Sequence, residues 1–355
     1  MSKKSLQASW SLSDDWQLPT FFTSVQEEYN AAKKSVALME RSYLGQLRIS
    51  GNDHADLLHR MTTNELRNLK TGEGQINLFT TEKGRIVDRV VLLKSDGQIR
   101  LLTSRGNARK ISDWIARYTF IEEVETEILS AFGMLAIFGP KSIELLNDLM
   151  KTNVSKLPEW HFREFAWQGQ SVLVVRTGEL TVPGFLFVIA SSSLDPFWDF
   201  LLATGQRFDL KPMGEQAYET LRIEAGWPLY GKDFDGEKNP NEAGMLPYVN
   251  FDKGCYIGQE VVARLDTYEK VQKHLLGIVL DGDVQPNARD LIYLNDEEVG
   301  YLTSVTHSFD FGKNIALGYV RRKFINEGGR VCVRCGEDET SGTLVKLPFS
   351  MVKSK

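Results

Sequence analysis

Cysteine is scarce in this sequence: Cys255, Cys332 and Cys335 are three among 355 residues, too few for a disulfide framework. The start, Met-Ser-Lys-Lys with Asp14 and Asp15 soon after, has neither the apolar stretch of a leader nor the acid-poor composition of a transit peptide. A reducing, cytoplasmic compartment is the expectation. Long hydrophobic runs are also missing. Gly184–Ala190 is among the longest, far below the ~20 residues that span a bilayer, so no membrane partner is expected. Base does not exceed acid: 42 Lys+Arg face 47 Asp+Glu, a formal charge of −5. That excludes broad coating of nucleic acid, which needs a basic face to displace counterions. The phosphate-cradling motifs G-x-G-x-x-G and G-x-x-x-x-G-K-[ST] are absent, as are H-E-x-x-H and G-x-S-x-G. A Rossmann enzyme, a P-loop NTPase, a zincin and an α/β-hydrolase are disfavoured accordingly. The five histidines are scattered, and His54 and His59 fall on different faces of any helix, which reads as surface placement. No stable metal is expected.

What remains is the composition of a folded protein, 42% hydrophobic and 25% charged, long enough for two or three domains. Residues 1–20 are polar and read as a tail. Helical periodicity begins after Phe21, with Val25, Tyr29 and Ala32 on one face. Strands are expected at 46–50, 76–80, 86–93, 99–103, 131–138, 172–177 and 185–189. Helices are expected after Asp53 and at 107–118, 196–202 and 214–225. Glu82-Lys83-Gly84 reads as a hairpin turn. Gly226–Asp252 has little periodicity, and an irregular segment of that length in a compact protein points to function. From Lys273 the pattern changes to short, evenly spaced strands, the mark of a small barrel or sandwich. The expected division is a tail at 1–20, an α+β region of two lobes at 21–270 and a β-domain at 271–355. Cys332-Val-Arg-Cys335 sits in a strand, where its thiols face opposite ways, and no second pair completes a zinc site.

The most informative stretch is Lys253-Gly254-Cys255-Tyr256-Ile257-Gly258-Gln259-Glu260. Its glycines permit a sharp turn or close approach. A nearby cation favours the thiolate over a thiol of pKa ~8.5. Cys255 is therefore either a reactive or ligand-facing thiol or a buried turn residue.

This stretch resembles the K-G-C-[FY]-x-G-Q-E signature of the YgfZ family, folate-binding relatives of the glycine-cleavage T-protein, an aminomethyltransferase. Further segments carry the same resemblance. Leu221–Asp233 is similar to L-R-[IL]-E-A-G-x-P-x-x-G-x-D, and Pro240-Asn241-Glu242-Ala243-Gly244 to P-x-E-A-G. Leu58–Asn64 resembles L-x-x-[LM]-T-T-N, and Arg176-Thr177-Gly178 the start of the T-protein's folate loop. Residues 299–304 and 314–320 resemble its C-terminal barrel. The resemblance spans about residues 24–350. It implies a multi-lobe α+β aminomethyltransferase-like fold with a small C-terminal β-barrel, and tetrahydrofolate in a central channel. For YgfZ-type proteins it also implies support of iron–sulfur enzymes, including the radical enzymes that methylthiolate tRNA, through transient contact with iron–sulfur proteins or assembly factors. The alternative is an active folate-dependent one-carbon transferase or demethylase.

Two departures weigh against the alternative. The T-protein hairpin carries adjacent aspartates, whereas here Asp88 is followed by Arg89. The later carboxylates of its folate loop are replaced by Val182, Pro183 and Leu186, leaving Glu179 as the acid nearby. Candidate folate-binding residues are Asp88, Arg222, Glu224 and Trp227. Each has an ordinary reading beside the functional one: a hairpin aspartate, a structural ion pair, a second acid sharing a face with Arg222 only on a strand, and a packed indole. Lys253 is either an electrostatic neighbour of Cys255 or a solvated turn residue. Gln259 and Glu260 either fix the signature loop or touch ligand.

Overall fold

A computed structural model describes residues 9–13, 16–267 and 271–350. They group into two compact units. One runs up to Phe79 and resumes at Asp88–Tyr218; the other combines Thr80–Val87 with the chain from Glu219 onward.

The first unit begins with an antiparallel pair, β1 (Ser9–Ser13) and β2 (Trp16–Phe21), within the stretch that reads as a tail; residues 1–8, 14 and 15 lie outside the described residues. Next comes α1 (Val25–Lys34), opened by the Ser24 hydroxyl, which accepts from the Glu27 amide at 3.2 Å. Then follow β3 (Val36–Glu40), β4 (Leu44–Ser50), α2 (His54–Met61), β5 (Gly74–Thr80), β6 (Ile86–Ser95), β7 (Gln98–Arg105) and α3 (Ala108–Arg117). After these are β8 (Glu125–Ile128), β9 (Phe132–Phe138), α4 (Ser142–Met150), β10 (Phe162–Trp167), β11 (Gln170–Thr177), β12 (Gly184–Ala190), α5 (Leu194–Gly205), β13 (Leu210–Pro212) and α6 (Glu215–Glu224), a helix that begins in the first unit and belongs to the second from Glu219. The strands form two sheets, ordered β10-β11-β12-β9-β3-β13 and β5-β6-β7-β4-β8. In the first, β12 is central and apolar along its whole length, because both of its faces are covered. Phe185, Phe187 and Ile189 project to one side, where Phe197, Trp198 and Leu201 of α5 and Leu145 and Leu146 of α4 close the core. Each such side chain contributes ~1.5–3 kcal/mol by leaving water.

Helix α2 departs from the expectation in two ways. His54 and His59 are buried, not surface residues. The ring of His54 bonds the Gly51 carbonyl at 2.5 Å, and Nδ1 of His59 lies 3.2 Å from a Glu65 carboxylate oxygen. These polar partners are what make burial of imidazole tolerable. Asp53 precedes the helix, but its carboxylate accepts from the Glu123 amide at 2.8 Å instead of capping.

In the second unit, α7 (Gln259–Thr267) precedes β14 (Lys273–Leu280), β15 (Leu291–Leu294), β16 (Glu297–Ser308), β17 (Lys313–Arg321), β18 (Arg330–Cys335) and β19 (Asp338–Val345). These six strands close into a barrel, β14-β17-β16-β15-β18-β19. Closure explains the even strand spacing, since it leaves no unpaired edge. Strand β17 is apolar on both faces. Ala316 and Val320 point into the barrel core with Ile278, Leu302 and Val333, whereas Ile315, Leu317 and Tyr319 pack outward with Ile223, Leu275 and Phe349. No helix among the described residues is long and apolar enough to cross a membrane.

Candidate functional site

The loop of residues 253–258 is seated on the hairpin turn of residues 80–87, within one unit. The Thr80 hydroxyl donates to the Ile257 carbonyl at 2.5 Å. Gly258 has φ +84°, and a Cβ there would lie 2.3 Å from the Thr81 carbonyl oxygen and 3.2 Å from the Gly84 backbone. Only glycine satisfies both the left-handed backbone and that approach. Gly84, at φ +67°, leaves 3.2 Å for the Val261 side chain. Inside the loop, the Gln259 amide donates to the Tyr256 carbonyl at 3.1 Å, and the Gln259 side chain to the Lys253 carbonyl at 3.4 Å. Gln259 thus fixes the loop. Glu260 is exposed in the first turn of α7, where a carboxylate suits the helix dipole.

Lys253 is not a solvated turn residue. It is buried, with its ammonium 5.4 Å from the centre of the Tyr256 ring. Tyr256 is buried too, its hydroxyl has no hydrogen-bond partner, and burial pushes the phenol up to about 12. Gly254 and Cys255 face solvent, so the buried-turn reading of Cys255 does not hold.

Cys332 and Cys335 are half-buried on β18. Burial, with Glu339 beside it, raises the Cys332 thiol, and burial with Asp290 pushes Cys335 up to about 11. Such a thiol is only ~0.1% thiolate at pH 8. Iodoacetamide is therefore expected to modify Cys255 at least ~10-fold faster than either of the others at pH 8. Peptide mass mapping over a time course checks this, and equal labelling of all three would refute it.

Asp88 lies on β6 and is fully buried. Its carboxylate accepts from the Ser104 amide at 3.0 Å and the Arg89 amide at 2.9 Å. Burial raises its pKa, with Ser104, Asn107 and Lys110 opposing. It is a carboxyl held out of water, and loss of hydration disfavours its charged form.

The remaining candidates separate. Residues 215–224 form a helix, so Arg222 and Glu224 do not share a face. Arg222 has 0% exposure and is spent on structure. It donates to Asp233 at 2.6 Å, to Ser304 Oγ at 2.6 Å, to the Trp227 carbonyl at 3.2 Å and to both carboxylate oxygens of Glu219. With its donors engaged inside the unit, the ion-pair reading is the one realised. Glu224 is buried, accepts from the Ser308 hydroxyl, and its carbonyl accepts from Phe349 at 3.0 Å. Trp227 is half-buried beside this cluster.

Two buried polar groupings escape a reading of the sequence. Asp233 joins Arg222 to the barrel: beyond the Arg222 bond it accepts from Thr303 and Ser304 of β16 at 2.6 and 2.7 Å and from the Leu229 amide at 2.9 Å. The recurrence of Arg and Asp in one quoted segment was the available signal. In the first unit, Arg41 pairs with Glu179 at 2.8 and 3.2 Å, and the Tyr218 hydroxyl donates to the same carboxylate at 3.0 Å. Nothing local to Arg41 announces that role, since its partners are distant in sequence. Among the described residues no group of three His, Cys, Asp or Glu side chains is placed to hold a metal ion.

Residues 2–253 match the GCVT N-terminal domain, and residues 273–350 match the glycine cleavage T-protein C-terminal barrel domain. The chain belongs to the glycine-cleavage T-protein family. Similar curated proteins include the aminomethyltransferase of Thermotoga maritima, 30% identical over 337 residues that cover 94% of this chain and 92% of that protein. That of Chlorobium luteolum is 28% identical over 341 residues, covering 94% and 92%. The solved structure of glycine cleavage system aminomethyltransferase T from Bartonella henselae superposes with a TM-score of 0.89 at 20% identity, covering 98% of this chain and 95% of that one. The fold is therefore the mixed α+β aminomethyltransferase fold with a closed C-terminal barrel. Tetrahydrofolate is the cofactor of this family. The matches do not single out the YgfZ branch.

Proposed function

We propose that this protein binds tetrahydrofolate and serves as an accessory to iron–sulfur enzymes, tRNA-methylthiolating radical enzymes among them, through Cys255. The supporting observation is the placement of that thiol: exposed, on a loop clamped to the hairpin that leads into Asp88. Asp88, a carboxyl kept from water, is the residue offered to an N–H of the pterin. Tetrahydrofolate would supply one-carbon chemistry when bound; the chain's own part is to orient it and keep Cys255 presented. One exposed thiol without companion ligands is a poor permanent cluster carrier, so contact with a cluster would be transient and shared with a partner.

A second reading, one-carbon transfer, is favoured by the name of the curated relatives. Against it stand Arg89 beside Asp88, and Glu179, whose carboxylate is occupied by Arg41 and Tyr218. One experiment separates the two. In a deletion strain, Cys255→Ala at matched protein level is expected to leave tRNA methylthiolation and aconitase activity unrestored, while Cys332→Ser and Cys335→Ser restore both. Purified Cys255→Ala should still bind tetrahydrofolate with wild-type heat in calorimetry. Full rescue by Cys255→Ala, or methylene-tetrahydrofolate production in reconstituted glycine cleavage, would favour the transferase.

A further inference from the structure

Among the described residues three large apolar side chains are exposed, and two of them are adjacent: Phe120 at 81% and Ile121 at 93%. Single apolar residues on a surface need no explanation, whereas a contiguous, fully presented pair does. The pair forms the tip of the turn between α3 and β8, within the first unit. That tip is not loose. The Glu122 carboxylate accepts from the Phe120 amide at 2.9 Å and the Ile121 amide at 3.2 Å, and the Arg60 guanidinium of α2 donates to it at 2.8 Å. These bonds, the one from Arg60 foremost, hold the Glu122 carboxyl at about 2, so the clamp is ionised at neutral pH. Asp53 fixes the next residue, accepting from the Glu123 amide at 2.8 Å. A turn already held in one shape loses little entropy when it docks.

Helix α3 leads into this tip, and its outward face carries Arg109, Asp113 and Arg117, all exposed. They stand about one helical turn apart and so line one stripe, with charges that alternate positive, negative, positive. Trp114 and Tyr118 flank the stripe, half-buried, with the Arg117 guanidinium 5.4 and 5.7 Å from their ring centres. Trp, Tyr and Arg are the side chains that most often anchor protein interfaces. A stripe of alternating charge complements itself. When two such helices meet antiparallel about a two-fold axis, every contact occurs twice. In the register that sets Asp113 opposite Arg117, both ion pairs form and Trp114 falls opposite the small, exposed Ala116. The same register brings Phe120 and Ile121 towards Lys110 and Arg109, whose aliphatic stems cover apolar surface while their charges stay in water. Setting Asp113 opposite Arg109 instead carries the tip past the start of the opposing helix.

We propose that the Phe120–Ile121 tip and the outward face of α3 form a self-complementary docking surface for a second copy of this chain. A helix of ten residues is only ~15 Å long, so the contact lies at the small end of specific interfaces and the dimer is expected at high protein concentration.

Sedimentation equilibrium of the full chain at about 5–500 µM tests this, in reducing agent so that Cys255 cannot cross-link two copies. The average mass is expected to rise with concentration from that of one copy towards two. Phe120→Asp and Ile121→Asp, both at exposed positions, should each raise the dimer Kd at least about 10-fold. Arg117→Asp and Asp113→Arg should each weaken association as well, and the double exchange Asp113→Arg/Arg117→Asp should return it to within about 3-fold of wild type. A wild-type chain that stays a single copy throughout overturns the proposal. So does a dimer indifferent to Phe120→Asp and Ile121→Asp, which would be held together by another surface. A double exchange that fails to restore association overturns the reciprocal pairing of α3. If the wild type stays a single copy and Phe120→Asp nevertheless loses rescue of aconitase activity in the deletion strain, the tip serves a different protein and the second copy is the wrong occupant.

Discussion

Replacing Arg222 with alanine is expected to lower the stability of the second unit by about 3–5 kcal/mol, because the substitution leaves Asp233 as a buried charge without its cation. Thr303, Ser304 and the Leu229 amide still donate to that carboxylate, which sets the expectation toward the lower end. In thermal unfolding the shift should be about 6–12 °C for a unit of this size. Arg222→Lys should recover little of it. A single ammonium cannot reach Asp233, Ser304, Glu219 and the Trp227 carbonyl together, which the planar guanidinium does. The pH dependence carries a second signature. Burial works against ionisation of Glu219, but the Arg222 guanidinium overrides it and holds that carboxyl at about 2, below its ordinary value of 4.5. A depressed acid stabilises the fold above its unfolded pKa and loses that contribution as pH falls through its folded one. The gap between wild type and Arg222→Ala should therefore narrow between pH 5 and 2. A gap that widens there, or a variant as stable as wild type at pH 7, would remove Arg222 from its structural role.

Gly258→Ala is expected to cost about 2–5 kcal/mol. One contribution is the left-handed backbone at φ +84°, about 1–2 kcal/mol for a residue with a Cβ. Another is the clash at 2.3 Å with the Thr81 carbonyl, which must be relieved by moving either the hairpin turn or the signature loop, about 1–3 kcal/mol. Gly244 provides the control. It has a similar φ, +69°, but nothing within 4 Å of an added methyl group, so Gly244→Ala should cost only about 1–2 kcal/mol. Urea unfolding of both variants measures the difference. Equal losses would mean that the close approach at Gly258 carries no energetic weight.

The barrel was readable because its strands follow one another at even spacing and are punctuated by turns, a pattern that no helix imitates. The hairpin at 82–84 was readable for the same reason. Strand β3 was not: Val36–Glu40 is buried along its whole length, so it shows no alternation and is too short to stand out. The signature loop could be located from its glycines and cysteine, but not the reason for Gly258, which lies in a carbonyl oxygen far away in sequence. Arg222 illustrates the limit of spacing arguments. Its neighbours fix a helix, yet its role is decided by Asp233 and by Ser304 on a barrel strand. The burial of His54 and His59 was equally invisible, because the groups that make it tolerable are Gly51 and Glu65, whose placement follows from turns.

The inclusion of residues 80–87 in the second unit has a consequence for synthesis. The Thr80–Ile257 bond closes over a separation of 177 residues, and the Arg85 bonds close over 152 and 157. A ribosome adding ~5–20 residues per second needs about 9–35 s to make the intervening chain. Throughout that interval the turn carrying Ile86 and Val87 has left the ribosome without the backbone that will grip it. The nascent protein thus holds this turn ungripped, with the apolar Ile86 and Val87 on its outgoing strand, until nearly three-quarters of the chain has been made, and any chaperone that attends its birth has those two side chains to shield.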